Sequence, residues 1–176
     1  LQRKDVTDII ISSVVPNLTD IIKLMCEYYF QLTPMIVGNG LKTGMPIRYE
    51  NPKEVGADRI VNAVAAIEQY GTPLIILDFG TATTFCVVNE KGEYLGGAIA
   101  PGIGISMNAL VEKTAQLPKV EMNIPEHVIG RNTSNAIQSG LLYGYCGLVD
   151  GMVHRIADEL GRDRKSTRLN SSHHSI

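Results

Sequence analysis

Apolar and polar positions along the chain change period several times, and each change marks an element. Ile9, Ile10 and Ile11 form an apolar run that Pro16 stops, which predicts a buried, parallel strand within residues 8–15. Leu18, Ile21, Ile22, Met25 and Tyr29 then recur at helical spacing, predicting a helix over 18–29 with Asn17 placed to cap it. Met35, Ile36 and Val37 predict a second short strand, so the chain opens with the β-α-β rhythm of an α/β layer. Residues 38–52 are rich in Gly and Pro and read as loop. A second helix is predicted over 58–70, with Ile60, Val64, Ala65 and Ile67 on its apolar side and Gly71 closing it.

The texture then shifts. Residues 74–77 are a short apolar strand, and 83–89 and 94–99 are strands on either side of a tight turn at Glu90-Lys91-Gly92. Together they predict a three-stranded antiparallel meander. Residues 100–104 are a loop opening a third helix over 105–115, and a polar connection punctuated by Pro covers 118–132. A long, mostly apolar helix is predicted over 134–160. Gly140, Gly144 and Gly147 along it each cost up to about 1 kcal/mol of helix propensity, which predicts close helix packing. Beyond Gly161 the sequence turns basic and rich in Ser and His, without an apolar period. The stretch 164–173 resembles translated sequencing-adapter read-through, so 162–176 is read as a non-native tail, and His173 and His174 receive no metal-binding role.

Composition narrows the picture. With 176 residues, 44% hydrophobic and 19% charged, the chain has the make-up of a globular protein with room for one core and part of another. A formal charge of −2 gives no reason to expect nucleic acid or an anionic membrane as partner. Aromatic content of 6% without Trp argues against a base-stacking platform. Cys26, Cys86 and Cys146 are too dispersed for a zinc site or disulfide framework. Each lies in an apolar stretch and is expected as a buried free thiol, in keeping with cytoplasmic surroundings. No apolar run reaches the length of a membrane span.

Three constellations carry chemistry. In Asp78-Phe79-Gly80-Thr81-Ala82-Thr83-Thr84, an apolar strand delivers a carboxylate, then a Gly turns the backbone so that amides and hydroxyls can face phosphate oxygens. A carboxylate beside phosphate needs a cation between them, which makes Asp78 a candidate cation ligand. A plain β-turn before a Thr-rich strand would explain a lone DxGT, but this longer run favours function. In Gly96-Gly97-Ala98-Ile99-Ala100-Pro101-Gly102, small residues leave room for a flat ligand ahead of a helix start. Alone it is an ordinary Gly/Pro loop. Gly56-Ala57-Asp58-Arg59 offers a base for a hydroxyl and a planar fork for a carboxylate. It reads equally well as an acidic first helical turn beside a solvated charge.

In this order and at these separations, the three elements resemble the type III pantothenate kinase family over residues 1–161. That family belongs to the superfamily of acetate and sugar kinases, actin and related ATPases. The resemblance implies an α/β fold of two ribonuclease-H-like domains. Residues 1–70 would be the remainder of the first, with the substrate turn, and 71–161 an incomplete second. It implies a cytoplasmic homodimer that phosphorylates pantothenate with ATP, Mg²⁺ and a monovalent cation (K⁺ or NH₄⁺), the committed step towards coenzyme A.

Carried across by matching motif, Asp58 resembles the catalytic base. Tyr49, Gly56, Ala57, Arg59 and Thr133 resemble pantothenate-binding positions, although Tyr49 also reads as a packed aromatic and Thr133 as a helix cap. Gly80, Thr81, Gly97, Pro101 and Gly102 resemble ATP contacts, and Asp78 the ligand of the monovalent cation. Cys86 stands where many relatives carry Asp and others Cys, and is read as strand packing. The family's DxGNT phosphate loop would lie before Leu1, where the resemblance implies roughly fifty further residues by ordinary domain anatomy. The end of the second domain is also expected beyond the sequence. A chain of this extent is therefore expected to hold only half of an ATP site. Two rivals stand beside this reading: a sugar or acetate kinase of the same superfamily, and a non-catalytic accessory factor for transcription.

Overall fold

A computed structural model describes residues 3–38, 40–113, 118 and 120–161, so the 162–176 tail and its two histidines lie outside the described residues. The described chain is mixed α/β. It divides into two compact units, one within Leu1–Leu74 and Val88–Gly96, the other within Ile75–Val87 and Gly97–Ile176.

In the first unit, β1 (Ile10–Ser12) and β2 (Met35–Val37) pair in parallel, with Ile11 opposite Ile36. The helix between them, α1 (Pro16–Phe30), supplies the crossover that a parallel pair requires. β1 is much shorter than the expected strand, because its partner offers only three residues. α1 starts earlier than expected. Val15 is its N-cap and Pro16 its first helical residue, where a missing N–H costs nothing, so Asn17 lies inside the helix and does not cap it. The apolar stripe of α1 is real but uncovered. Leu18, Ile21, Met25 and Tyr29 are 45–63% exposed, and Cys26 is the residue the helix buries.

α2 (Ala57–Tyr70) packs on β1 and β2, and buries Ala57, Ile60 and Ala63. Ala65, expected on that side, is exposed. At 100° per residue, the face through 57, 60, 63 and 67 leaves position 65 on the opposite side. Gly71 closes the helix with φ 74°, donating its N–H to the Ile67 carbonyl at 2.9 Å.

β3 (Leu74–Phe79), β4 (Ala82–Val88) and β5 (Tyr94–Pro101) form one sheet in sequence order. Their connections are two and five residues long, which permits antiparallel pairing alone. The central strand β4 buries Thr83, Phe85, Cys86, Val87 and Val88, both of its faces being covered. The segment before Tyr49 joins this hairpin: Tyr94 donates its N–H to Pro46 and Arg48 donates its own to Tyr94, each at 2.8 Å.

In the second unit α3 (Ile103–Lys113) packs against α4 (Thr133–Glu159), with Ile103 and Met107 on a core of Val120, Ile137 and Leu141. Side chains of α4 fasten the irregular connection over it. Gln138 donates to the Glu121 carbonyl at 2.7 Å, Tyr143 to Pro125 at 3.2 Å, and Ser139 to Val128. Close packing at Gly140, Gly144 and Gly147 is not found, for a side chain built at any of them meets no described atom within 4 Å. Cys146 shares this open helix and is exposed, against expectation, whereas Cys26 and Cys86 are buried.

Candidate functional site

The first unit carries the Gly-Ala-Asp-Arg turn. Gly56 caps α2 in extended conformation, and its carbonyl accepts from Ile60 N–H at 3.2 Å. Asp58 sits in the first helical turn, exposed, with Oδ1 accepting the Arg59 backbone N–H at 2.9 Å. That fold-back brings the carboxylate over Gly56, where any Cβ would collide with it. A glycine two residues ahead of the acid is therefore a steric requirement of this rotamer. Arg59 donates from one terminal nitrogen to the Glu54 carbonyl at 3.0 Å, which fixes where the guanidinium stands. Ala57 is buried beneath the turn.

Tyr49 is set by a contact that sequence reading missed. Its ring edge lies 2.9 Å from where a Cβ on Gly96 would be, and Gly96 has φ +117°, a region side chains rarely adopt. The ring thus rests on bare backbone of β5. The segment is held there by Arg48, whose guanidinium donates twice to Glu93 Oε1, at 2.7 and 2.9 Å. Asn89 donates to Glu93 Oε2 at 2.7 Å. The Asn89 hydrogen bond first, then the Arg48 guanidinium, lowers the Glu93 carboxyl below its ordinary pKa of 4.5. A cavity of about 440 Å³ also opens in this unit, from Ile60 under the loop of Leu41, Met45, Pro46 and Ile47, with Lys42 as its charged lining residue. The sequence marked this stretch only as a Gly/Pro-rich loop.

The second unit carries the other two constellations, and here the structure brings them together. Asp78 lies near the end of β3, partly buried, and the Gly80-Thr81 turn leads into β4 with Gly80 donating its N–H to Ala82 at 3.0 Å. Gly102 donates its N–H to the Thr81 carbonyl at 3.0 Å. A Cβ on Gly102 would come within 3 Å of the Gly80 and Thr81 carbonyls, so the loop closes directly on the turn. The Gly102 carbonyl then accepts from Ser106, the first bond of α3. Gly97 lies against the backbone of Phe85 and Cys86, while Pro101 is exposed. The Thr84 hydroxyl is buried without a hydrogen-bond partner among the described residues. Thr133 is the first residue of α4 and exposed; the cap is Asn132, whose side chain accepts from Asn135 at 2.8 Å.

Among the described residues no three His, Cys, Asp or Glu side chains gather as an all-protein metal cage. A single carboxylate at a turn of backbone amides instead suits a cation bound chiefly by phosphate oxygens and water, so Asp78 and its turn fit such a group. No helix among the described residues is long and apolar enough to cross a membrane.

The type III pantothenate kinase family model matches residues 1–155. The chain belongs to the type III pantothenate kinase family. Two curated type III pantothenate kinases, from Citrifermentans bemidjiense and from Geobacter sp. strain M21, are each 60% identical over 155 residues. Those matches cover 88% of this chain and 61% of each relative, so the chain spans less than two thirds of their length. A solved structure from Campylobacter jejuni, described as a Baf family transcriptional activator, is similar with a TM-score of 0.58 at 18% identity. It covers 84% of this chain and 64% of that one, a likeness of fold alone.

Proposed function

We propose that the protein transfers the γ-phosphoryl group of ATP to the primary hydroxyl of pantothenate, giving 4'-phosphopantothenate, the first step of coenzyme A biosynthesis. The observation that carries this reading is the family match over residues 1–155, within which the Asp58-Arg59 turn stands intact at the head of α2.

Asp58 is the general base. Its carboxylate is exposed, accepts the neighbouring Arg59 backbone N–H, and stands able to accept a hydroxyl proton from solvent-side substrate. As the new bond forms between the hydroxyl oxygen and the γ-phosphorus, the bond to the β–γ bridging oxygen breaks, and ADP departs with the electron pair. Arg59 holds the pantothenate carboxylate through the donors that the Glu54 carbonyl leaves over, and Gly56 and Ala57 shape the turn beneath it. Tyr49 and Thr133 complete the pantothenate contacts. Gly80, Thr81, Gly97, Pro101 and Gly102 receive the nucleotide, and Asp78 is the cation ligand. Mg²⁺ and a monovalent cation, when bound, offset the charge of the phosphates.

A ribonuclease-H-like fold, a homodimer and a cytoplasmic setting belong to the same proposal. Asp58 and Asp78 both favour an enzyme over a non-catalytic transcription factor. The test is Asp58→Asn in the protein at its full natural length. A fall in kcat of about 10²–10⁴ with an unchanged melting temperature is expected. Wild-type kcat in a coupled ADP-release assay would remove Asp58 from the mechanism.

A further inference from the structure

Tyr145 lies in the middle of α4, in a sequence stretch that suggests no chemistry. Its hydroxyl nevertheless reaches the carbonyl of Pro101, to which it donates, and lies 3.4 Å from the Ser106 hydroxyl. Those two residues bracket Gly102. Pro101 ends β5, and Ser106 makes the first backbone bond of α3, to the Gly102 carbonyl. Gly102 in turn closes on the Gly80-Thr81 turn through its own N–H, with no room for a side chain. One phenol oxygen therefore holds both sides of the link that seats the loop on the turn. With the Pro101 carbonyl accepting from Tyr145, the Ser106 hydroxyl is left to donate to the same oxygen.

We infer that Tyr145 is a positioning residue for nucleotide binding, its hydroxyl holding the 101–106 segment so that the backbone at Gly80, Thr81 and Gly102 is pre-set for ATP. The inference rests on the nucleotide role proposed above for that loop. A phenylalanine at 145 would fill the same space and remove the hydroxyl alone. The loop would then have to be ordered at the moment of binding, which weakens affinity for nucleotide without touching pantothenate.

The experiment is calorimetric titration of ATP and, separately, pantothenate into the full natural-length protein and its Tyr145→Phe and Ser106→Ala variants, alongside melting curves. Tyr145→Phe is expected to raise the Kd for ATP about three- to tenfold, the range of one hydrogen bond, with pantothenate affinity unchanged. Ser106→Ala should show a smaller shift in the same direction. Amide exchange at residues 80, 81 and 102 should quicken in Tyr145→Phe, with exchange in β4 unchanged. Equal ATP affinity in wild type and Tyr145→Phe overturns the inference and leaves the proposed activity standing. Equal loss of ATP and pantothenate binding overturns it as well, since that is a general loss of structure. A wild type that binds no ATP overturns both.

Discussion

At the first turn of α2 a carboxylate folds back on its own backbone, and at the β4–β5 hairpin another is clamped by an arginine and an asparagine. Asp58 is left facing solvent and open to substrate; Glu93 is fully engaged. Because the folded carboxyl of Glu93 is held below its ordinary value of 4.5, its contribution is present above that pH and is lost as pH falls through the lowered value. The melting-temperature gap between wild type and Glu93→Gln should therefore be full at pH 7, begin to shrink as pH falls through the ordinary value of 4.5, and close only below the lowered one. A gap that persists at low pH would contradict the clamp. Gly96→Ala should lose about 1–3 kcal/mol in urea unfolding, because φ +117° strains any side chain and the Cβ displaces Tyr49. Wild-type stability would show that the ring does not rest there. The Asp58-Arg59 turn was legible in the sequence because its parts are adjacent. The seat of Tyr49 on Gly96 and the Arg48–Glu93 pair were not, because their partners lie more than forty residues apart and no local period encodes them.

Elements followed the hydrophobic pattern where a tertiary partner exists to reward it. The β3-β4-β5 meander and α2 stand close to their expected spans, since both bury a face. β1 fell short because strand length depends on the neighbour as much as on the apolar run. α4 begins where Asn132 can cap it, a role Thr133 could equally have filled on sequence alone. Asn132→Ala should cost about 1 kcal/mol, read as a shift in the urea midpoint. A loss below a few tenths would mean that the connection holds the helix start instead. Phe85, 1% exposed on the central strand, should cost about 3–5 kcal/mol when cut to Ala. A small loss there would mean that β4 is not the core strand its burial describes.

At the scale of the molecule, two compact units each carry part of the chemistry. The first holds the proposed base and carboxylate fork, the second the proposed cation ligand and the nucleotide loop closed on its turn. The family was legible because three short constellations keep their order and separation. Their order could not disclose that Gly102 docks on Gly80-Thr81, which needs the hairpin to bring residues twenty apart into contact. The open face of α1 and the open glycines of α4 were equally hidden, because a helical period states which side is apolar and not what covers it.

The most direct measurement is ADP release by the full natural-length protein with ATP, Mg²⁺ and K⁺, offered pantothenate, acetate and a panel of sugars in turn. The expected result is turnover with pantothenate alone, accompanied by 4'-phosphopantothenate in the product mixture. Turnover that ignores pantothenate, or that requires a sugar or acetate, would contradict the proposed activity.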